Sequence, residues 1–272
     1  MAVKPRLDTR LVELGLTTSR ERARALIMSG AVTVNGQIAD KPGFTLAPTD
    51  SIYVKHPAIQ YVSRGGLKLE RAIRTFSPSI GGKICADIGA STGGFTDCML
   101  QNGARRVYAV DTGYGQLAVS LRNDERVICL ERTNARYITA EQIPEPIDFF
   151  SVDVAFISLS LIVPALVPLL SEKAEGVLLI KPQFEAGRER VGKNGVVRDA
   201  KVHRSVVIST LDMLEKLSVM PVGLTFSPIK GPKGNIEFLV YVCKDRDRNV
   251  SISDIDDVIQ RAHCELAVEV VQ

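Results

Sequence analysis

This 272-residue sequence contains few histidines, no closely paired cysteines and no long apolar run. With only three histidines, a histidine-rich metal site is not expected. The five cysteines are scattered and form no CxxC pair, and all except Cys264 have at least one apolar neighbour. This pattern predicts buried, reduced thiols in a cytoplasmic protein and argues against a disulfide framework.

The chain also lacks an apolar segment suited to a membrane. Its first ten residues, MAVKPRLDTR, contain no apolar core and are not typical of a signal peptide. The uncharged run from Val154 to Leu170 is shorter than a membrane span and is broken by Pro164 and Pro168. We therefore predict no membrane association and no bound metal, and expect this run to form a strand end that leads into a helix.

Positive charge is present but localised. The formal net charge is +3, and residues 1–60 hold eight basic residues against five acidic ones. Residues 181–204 hold seven basic residues against three acidic ones. Localised basic patches on a nearly neutral chain are typical of a surface that binds polyanions, although solvated loops have a similar composition.

Residues 6–54 predict a compact unit of two helices and a short sheet. Ser19 is a suitable N-cap for the second helix. Val32–Val34 alternates as a strand and leads into Asn35-Gly36, a strong hairpin signal, and Ile52–Val54 supplies a closing strand. The segments RLDTRLVELGL, SRERARALIMSGAVTVNG and DSIYV resemble the S4 RNA-binding domain.

That resemblance implies that arginines of the first unit contact structured RNA. The alternative is that they only solvate an amphipathic helix. The implied RNA-binding residues are Arg6, Arg10, Arg20, Arg22 and Arg24.

From about Tyr61 the pattern changes to continuous apolar strands separated by helical segments, which predicts a parallel sheet covered on both faces. A Gly/Pro-rich turn from Pro228 to Gly234 joins the last two strands, so the final strand should pair antiparallel. The predicted strands are Lys83–Ile88, Arg106–Val110, Val127–Leu130, Phe149–Val152, Gly176–Ile180, Pro221–Ser227 and Glu237–Cys243.

A glycine-rich turn, DIGASTGGFT, follows the first of these strands, where doubly wound folds bind their ligand. Its spacing, Gly89 and then Gly93-Gly94, fits neither GxGxxG nor GxxxxGK[ST]. Asp111 ends the next strand, where a carboxylate can accept hydrogen bonds from both hydroxyls of an adenosine ribose. Together they predict a nucleoside-type cofactor; a turn needed only for packing is the alternative.

Four charged residues occur in the motifs SRGGLKL, DVAFISL, KPQFE and GNIEF. Asp153 ends the fourth strand and Lys181 the fifth, so both should emerge at the carboxyl edge of neighbouring strands. Packing does not need such residues, although a carboxylate there can also cap the following helix. The predicted catalytic set is Lys68, Asp153, Lys181 and Glu237.

This set resembles the Lys-Asp-Lys-Glu tetrad of FtsJ-like ribose 2′-O-methyltransferases. With the S4-like unit and the segment KPQFEAGRERVGKNGVVRD, the chain resembles the TlyA (hemolysin A) family of ribosomal RNA methyltransferases. The resemblance implies an α/β class I (Rossmann-like) methyltransferase fold. Its seven-stranded sheet is mostly parallel with an antiparallel last strand, and a small α+β S4 domain precedes it. The implied division is an S4 domain at 1–55, a linker at 56–62 and a methyltransferase domain at 63–272.

The implied cofactor is S-adenosylmethionine, because an aspartate before the first glycine, together with Asp111, is similar to its binding pattern. The residues implied to bind it are Asp87, Gly89, Ser91, Gly93, Gly94, Phe95, Asp111, Asn134 and Asp153.

The implied reaction is methylation of a ribose 2′-hydroxyl in ribosomal RNA, with cytidine as the expected target and ribosomal subunits as partners. Lys181 is the predicted proton acceptor, and Arg64, Arg188 and Lys193 are further predicted RNA contacts. Three alternatives remain: a pseudouridine synthase, which would need no cofactor loop; a haemolytic, membrane-active protein; and an RNA-binding protein with an inactive methyltransferase domain.

Overall fold

The computed structural model describes residues 5–17, 19–28, 30–47, 49–54, 60–244 and 254–267. The chain divides into two compact units, Met1–Gln60 and Tyr61–Gln272. Most of the predicted linker, at 56–62, lies outside the described residues.

The first unit combines two helices with a three-stranded antiparallel sheet in the order β2-β1-β3. Its elements are α1 (Leu7–Glu13), α2 (Arg20–Met28), β1 (Val32–Val34), β2 (Gln37–Ile38) and β3 (Ile52–Val54).

Local signals in the sequence account for these elements. The Oγ of Ser19 accepts a hydrogen bond from the backbone N–H of Arg22 (3.2 Å) and so caps α2. Asn35 and Gly36 both have positive φ, as the predicted hairpin turn requires. Fully buried apolar residues, including Leu7 and Ile27, form the core of the unit.

The second unit contains seven strands and the helices that flank them. Its elements are α3 (Gly65–Phe76), β4 (Ile84–Ile88), α4 (Gly94–Gln101), β5 (Arg106–Val110), α5 (Val119–Arg122), β6 (Val127–Leu130), β7 (Ile147–Val152), α6 (Val163–Leu166), β8 (Leu170–Ile180), α7 (Pro182–Glu185), α8 (Ala200–Lys216), β9 (Met220–Phe226), β10 (Phe238–Cys243) and α9 (Ile255–Ala267).

The strands form one sheet in the order β6-β5-β4-β7-β8-β10-β9. Strands β6, β5, β4, β7 and β8 pair in parallel, whereas β10 runs antiparallel to both β8 and β9. The predicted mostly parallel sheet with a reversed last strand is confirmed. The carboxyl ends of β4, β5, β6, β7 and β8 therefore share one edge.

The uncharged run from Val154 to Leu170 was expected to form a strand end that leads into a helix, but β7 already ends at Val152 and the run contains three short helical pieces. It forms a 3₁₀ turn at Leu159–Leu161, then α6, then a second 3₁₀ turn at Val167–Leu169. Each proline lies in the first turn of a new helical piece, because its missing N–H cannot continue the preceding one.

The C-terminal helix α9 packs against α8 and β9. It buries Val258, Ile259, Ala262 and Leu266, one apolar face of the helix. This packing supplies the partner that the sequence did not identify.

Candidate active site

The glycine-rich turn lies between β4 and α4, and its backbone requires glycine at two positions. Gly89 (φ 87°) and Gly93 (φ 97°) are left-handed. A Cβ atom at Gly89 would collide with the carbonyl oxygen of Asp153, and one at Gly93 with the side chain of Leu121. The turn is therefore packed closely against the loop after β7 and against α5.

Asp111 follows β5 and holds the turn from the other side. Its Oδ2 accepts a hydrogen bond from the backbone N–H of Ser91 (2.8 Å), and its Oδ1 accepts one from the N–H of Gly113 (2.7 Å). Each carboxylate oxygen offers two acceptor positions. Asp111 thus has one further acceptor position on each oxygen, which matches two vicinal ribose hydroxyls.

The loop after β6 reaches the same edge. Asn134 caps the following 3₁₀ turn, since its Oδ1 accepts a hydrogen bond from the N–H of Arg136 (3.1 Å). The guanidinium carbon of Arg132 lies 4.1 Å from the ring centre of the exposed Tyr114, a cation–π contact. Neither residue was predicted from the sequence, because the two meet only when the loops after β5 and β6 are folded.

Three of the predicted cofactor-binding residues face the protein interior. The buried Asp87 carboxylate accepts hydrogen bonds from the N–H (2.8 Å) and hydroxyl (2.7 Å) of Thr96 and from the hydroxyl of Ser151 (3.0 Å). Burial raises the pKa of Asp87 to about 6, against the opposing effect of these hydrogen bonds. A Cβ at Gly94 would collide with the segment before α3, and Phe95 is buried. In this structure their contacts position the turn.

The four charged residues of the predicted catalytic set lie together at the carboxyl edge of the parallel strands. Lys68 is on α3, and Asp153 and Lys181 directly follow β7 and β8. Glu237 directly precedes the antiparallel strand β10, whose start meets the end of β8. Their side chains are 1–17% exposed, from Glu237 to Asp153.

Asp153 bridges the two lysines. Its Oδ1 lies 2.5 Å from Nζ of Lys181, and its Oδ2 accepts a hydrogen bond from Nζ of Lys68 (3.4 Å). The same Nζ of Lys68 donates to Oε2 of Glu237 at 2.8 Å. Two cations and two anions therefore form one connected, formally neutral chain, which we call the tetrad.

Lys68 is held in its charged form. Burial lowers the pKa of Lys68, but the carboxylates of Asp153 and Glu237 more than offset this effect and raise the pKa above its ordinary value. Lys181 stands at the end of the tetrad and pairs with a single carboxylate among the described residues. Of the two lysines, Lys181 is therefore the better placed to exchange a proton.

A cavity of about 700 Å³, which we call the target cavity, lies between the segments that follow Asp153 and Lys181. Phe156 and Phe184 line it with ring centres 5.1 Å apart. Phe156 is 88% exposed and has a φ of 65°, a conformation that bulky residues rarely adopt. Phe156 was not predicted as a site residue, although it lies within the DVAFISL motif.

The predicted RNA contacts of the second unit have different surroundings. Arg64 is exposed beside the start of α3, and Arg188 lines the target cavity. The side chain of Lys193 lies outside the described part of the structure.

In the first unit, the buried carboxylate of Asp8 fixes two of the predicted arginines. Arg6 and Arg20 pair with it at 3.0 and 3.2 Å, and the hydrogen bond from Arg6 is the main reason that the pKa of Asp8 lies far below its usual range. Arg10 pairs with Glu13 (3.0 Å). Of the remaining two, Arg24 is exposed and Arg22 is half-buried.

Fold and site together define a methyltransferase that uses S-adenosylmethionine. The model of the FtsJ-like methyltransferase family matches residues 61–244, and that of the S4 domain matches residues 5–52. The chain therefore belongs to the FtsJ-like methyltransferase family and carries an S4 domain. The predicted family, fold class and cofactor are confirmed.

The chain is 51% identical over 240 residues to YqxC of Bacillus subtilis (strain 168), a candidate rRNA methyltransferase, covering 88% of this chain and 85% of that protein. It is 43% identical over 263 residues to the 16S/23S rRNA (cytidine-2′-O)-methyltransferase TlyA of Mycobacterium tuberculosis (strain ATCC 25618 / H37Rv), covering 96% and 98%. Among solved structures, a candidate hemolysin from Streptococcus thermophilus is similar with a TM-score of 0.76 and 43% identity over 99% of both chains.

One of these similar proteins carries the name hemolysin. Within the described ranges of this chain, no helix combines the length and the apolar character that a membrane span requires.

Proposed function

We propose that this chain transfers a methyl group from S-adenosylmethionine to the 2′-hydroxyl of a cytidine in ribosomal RNA. The observation that carries the proposal is the tetrad, which lies at the sheet edge that also carries the glycine-rich turn. The similar M. tuberculosis protein is named for this reaction.

The cofactor would bind across the glycine-rich turn and Asp111. We assign the adenosine ribose to the two remaining acceptor positions of Asp111, with Ser91 and Asn134 exposed nearby. When bound, S-adenosylmethionine supplies an activated methyl group on a positively charged sulfur. Gly89 and Gly93 contribute by keeping the turn in its left-handed path.

The protein must position a weakly acidic hydroxyl and remove its proton. To accept this proton, the ammonium of Lys181 must first release its own proton to solvent; Nζ then takes the hydroxyl proton, and the nearby Oδ1 of Asp153 orients the amine and stabilises the ammonium that results. Lys68 occupies the other oxygen of Asp153 and is itself held by Glu237, so the carboxylate is fixed.

The target cavity has the chemistry needed for a nucleotide turned out of its helix. Phe156 and Phe184 offer aromatic faces against which a base can stack, and Arg188 offers a cation for its phosphate. The buried side-chain oxygen of Gln183, on the same wall, has no hydrogen-bond partner among the described residues. The amino group of a cytosine could supply the missing donor, as could donors on the other bases, so cytidine as the target is supported by the similar M. tuberculosis protein.

The S4 domain supports RNA as the substrate class, since it presents the exposed Arg24 and the anchored Arg6 and Arg20 on one small unit. Ribosomal RNA as substrate places the proposed activity in the cytoplasm, with ribosomal subunits as partners.

The proposal is tested by incubating the full chain with S-adenosylmethionine carrying a labelled methyl group and with ribosomal subunits that lack the modification. We expect label in the RNA, next to a phosphodiester bond that resists alkali because its 2′-hydroxyl is blocked. Labelled RNA that alkali cleaves at the modified nucleotide would contradict ribose methylation, and unlabelled RNA would contradict the activity itself. A parallel assay of red-cell lysis, in which we expect none, tests the haemolytic alternative.

A further inference from the structure

A second cavity, of about 460 Å³, lies within the same unit between the loop before α8, the turn joining β9 to β10, and α9. Arg198, Lys230 and Lys233 line it, together with His263. None of its lining residues is acidic, and within the described ranges none of the three cations forms an ion pair. Cations that converge on a concave surface repel one another unless an anion is bound between them.

The walls of this basic cavity are fixed to each other by one buried side chain. Oδ1 of Asn235 accepts a hydrogen bond from the N–H of Val197, and its Nδ2 donates to the carbonyl of Gly195, both at 2.9 Å. These bonds join the loop that carries Arg198 to the turn that carries Lys233. The cations are thus presented by a preformed surface, which reduces the ordering cost of binding.

The basic cavity borders the target cavity. Gly195 lines the target cavity, and a Cβ atom built there would lie 3.6 Å from Nζ of Lys233. The same turn also borders the tetrad, since a Cβ at Gly231 would lie 2.7 Å from Oε1 of Glu237. A chain leaving the target cavity past Gly195 therefore meets Lys233 first.

We propose that the basic cavity binds a phosphodiester group of the RNA strand adjacent to the target nucleotide. The inference rests on the proposed function, because the strand it binds is the one whose nucleotide occupies the target cavity. Lysine binds phosphate as a point charge and arginine as a planar donor, so Lys230, Lys233 and Arg198 suit this ligand. Clamping the backbone beside the target would help to hold its 2′-hydroxyl in place.

The test compares the full-length double variant Lys230→Gln/Lys233→Gln with Lys173→Gln/Lys216→Gln. The control pair removes the same charge from exposed positions near the start of β8 and at the end of α8, at the opposite edge of the sheet. Binding of 23S ribosomal RNA transcribed in vitro is measured by fluorescence anisotropy at several salt concentrations. For the first pair we expect about tenfold weaker binding and a salt slope smaller by roughly 0.7, the value for one phosphate of a single strand that is no longer neutralised.

Equal losses for the two double variants would overturn the inference, because they would reflect net charge alone. Calorimetry with inorganic phosphate tests whether free phosphate, and not the RNA backbone, is the anion that binds in the basic cavity. Saturable phosphate binding that only the Lys230/Lys233 variant loses, with an unchanged RNA slope, would assign the basic cavity to free phosphate and also overturn it. Methyl transfer by the wild type is scored separately. Absence of methyl transfer would contradict the proposed function. The salt slopes would still show whether the basic cavity binds the RNA backbone.

Discussion

Nζ of Lys181 lies 2.5 Å from Oδ1 of Asp153, and the two residues directly follow neighbouring parallel strands, β7 and β8. The register of the sheet, and not a particular loop conformation, brings them together. Lys68 holds the other oxygen of the same carboxylate, so Lys181 contacts a group that cannot readily turn away. This relationship makes the role of Lys181 testable apart from its charge.

Lys181→Arg is expected to lower the rate of methyl transfer by at least about 100-fold, because a guanidinium stays protonated and cannot accept the hydroxyl proton. Lys181→Ala, which removes the acceptor altogether, should lower the rate by a similar factor. Single-turnover transfer of labelled methyl measures the rate, and calorimetry should show cofactor affinity within about twofold of wild type for Lys181→Arg. An arginine variant with most of the wild-type rate would show that charge, not proton transfer, is what this position supplies.

Glu237→Ala is expected to lower the free energy of unfolding by about 3 kcal/mol, because it leaves the buried Lys68 with a weaker set of partners. Replacing both ends of the pair, as in Lys68→Met/Glu237→Leu, should recover much of this loss without restoring activity. Urea unfolding of both variants measures the difference. If the double variant is no more stable than the single one, the loss does not arise from an uncompensated charge.

Asp111→Ala should weaken S-adenosylmethionine binding by about 1–3 kcal/mol, the range for leaving polar partners unsatisfied. Isothermal calorimetry measures the change. Asp212→Ala, at an exposed position on α8, removes the same charge away from the turn and should leave the affinity unchanged. An affinity equal to wild type in both variants would remove Asp111 from the cofactor site.

Arg24→Glu and Arg20→Glu should both weaken binding to ribosomal RNA, most strongly at low salt. Only Arg20→Glu should also destabilise the first unit, since Arg20 pairs with the buried carboxylate of Asp8 whereas Arg24 is exposed. Anisotropy at several salt concentrations and urea unfolding separate the two effects. Equal stability of the variants would mean that Asp8 does not depend on Arg20.

The stability of the second unit should depend on pH through His203. Its Nδ1 lies 2.9 Å from Nε2 of His263, and burial, followed by the charge of His263, lowers the pKa of His203 to about 4 from 6.5. The unfolded chain therefore binds this proton first as the pH falls. The free energy of unfolding should decline between pH 6.5 and 4, by up to about 3 kcal/mol from this residue.

Urea unfolding from pH 4 to pH 7 measures this dependence, and His203→Gln should flatten it. A variant with the wild-type slope would assign the dependence to other groups.

The sequence was most informative where apolar strands are continuous. The bounds of β5 were predicted to the residue because its last four positions, Val107–Val110, are all buried and apolar. The start of β8 was missed: the strand begins at Leu170, which pairs with Ile147 of β7, and not at Gly176. Glu172 and Lys173 are exposed and lie in the irregularity before pairing with β7 resumes at Glu175. Apolar residues mark the buried part of a strand, so an exposed strand end cannot be recognised from hydrophobicity.

For the site, the sequence predicted which residues follow strands but not how their side chains are paired. Asp153 and Lys181 could be placed at one edge by topology alone. The shared carboxylate of Asp153 and the left-handed Phe156 depend on tertiary contacts between distant segments. The inward orientation of Asp87 could not be predicted for the same reason. An aspartate before a glycine-rich turn looks identical in the sequence whether its carboxylate faces a ligand or the core.

The reversed direction of β10 places Glu237 at the same edge of the sheet as Asp153 and Lys181. Were this six-residue strand to run with its neighbours, its leading glutamate would sit at the far side of the sheet, about 20 Å away at some 3.3 Å per residue. Lys68 would then face a single acid, and the tetrad would carry a net positive charge. The orientation of one strand therefore sets the charge balance of the whole tetrad.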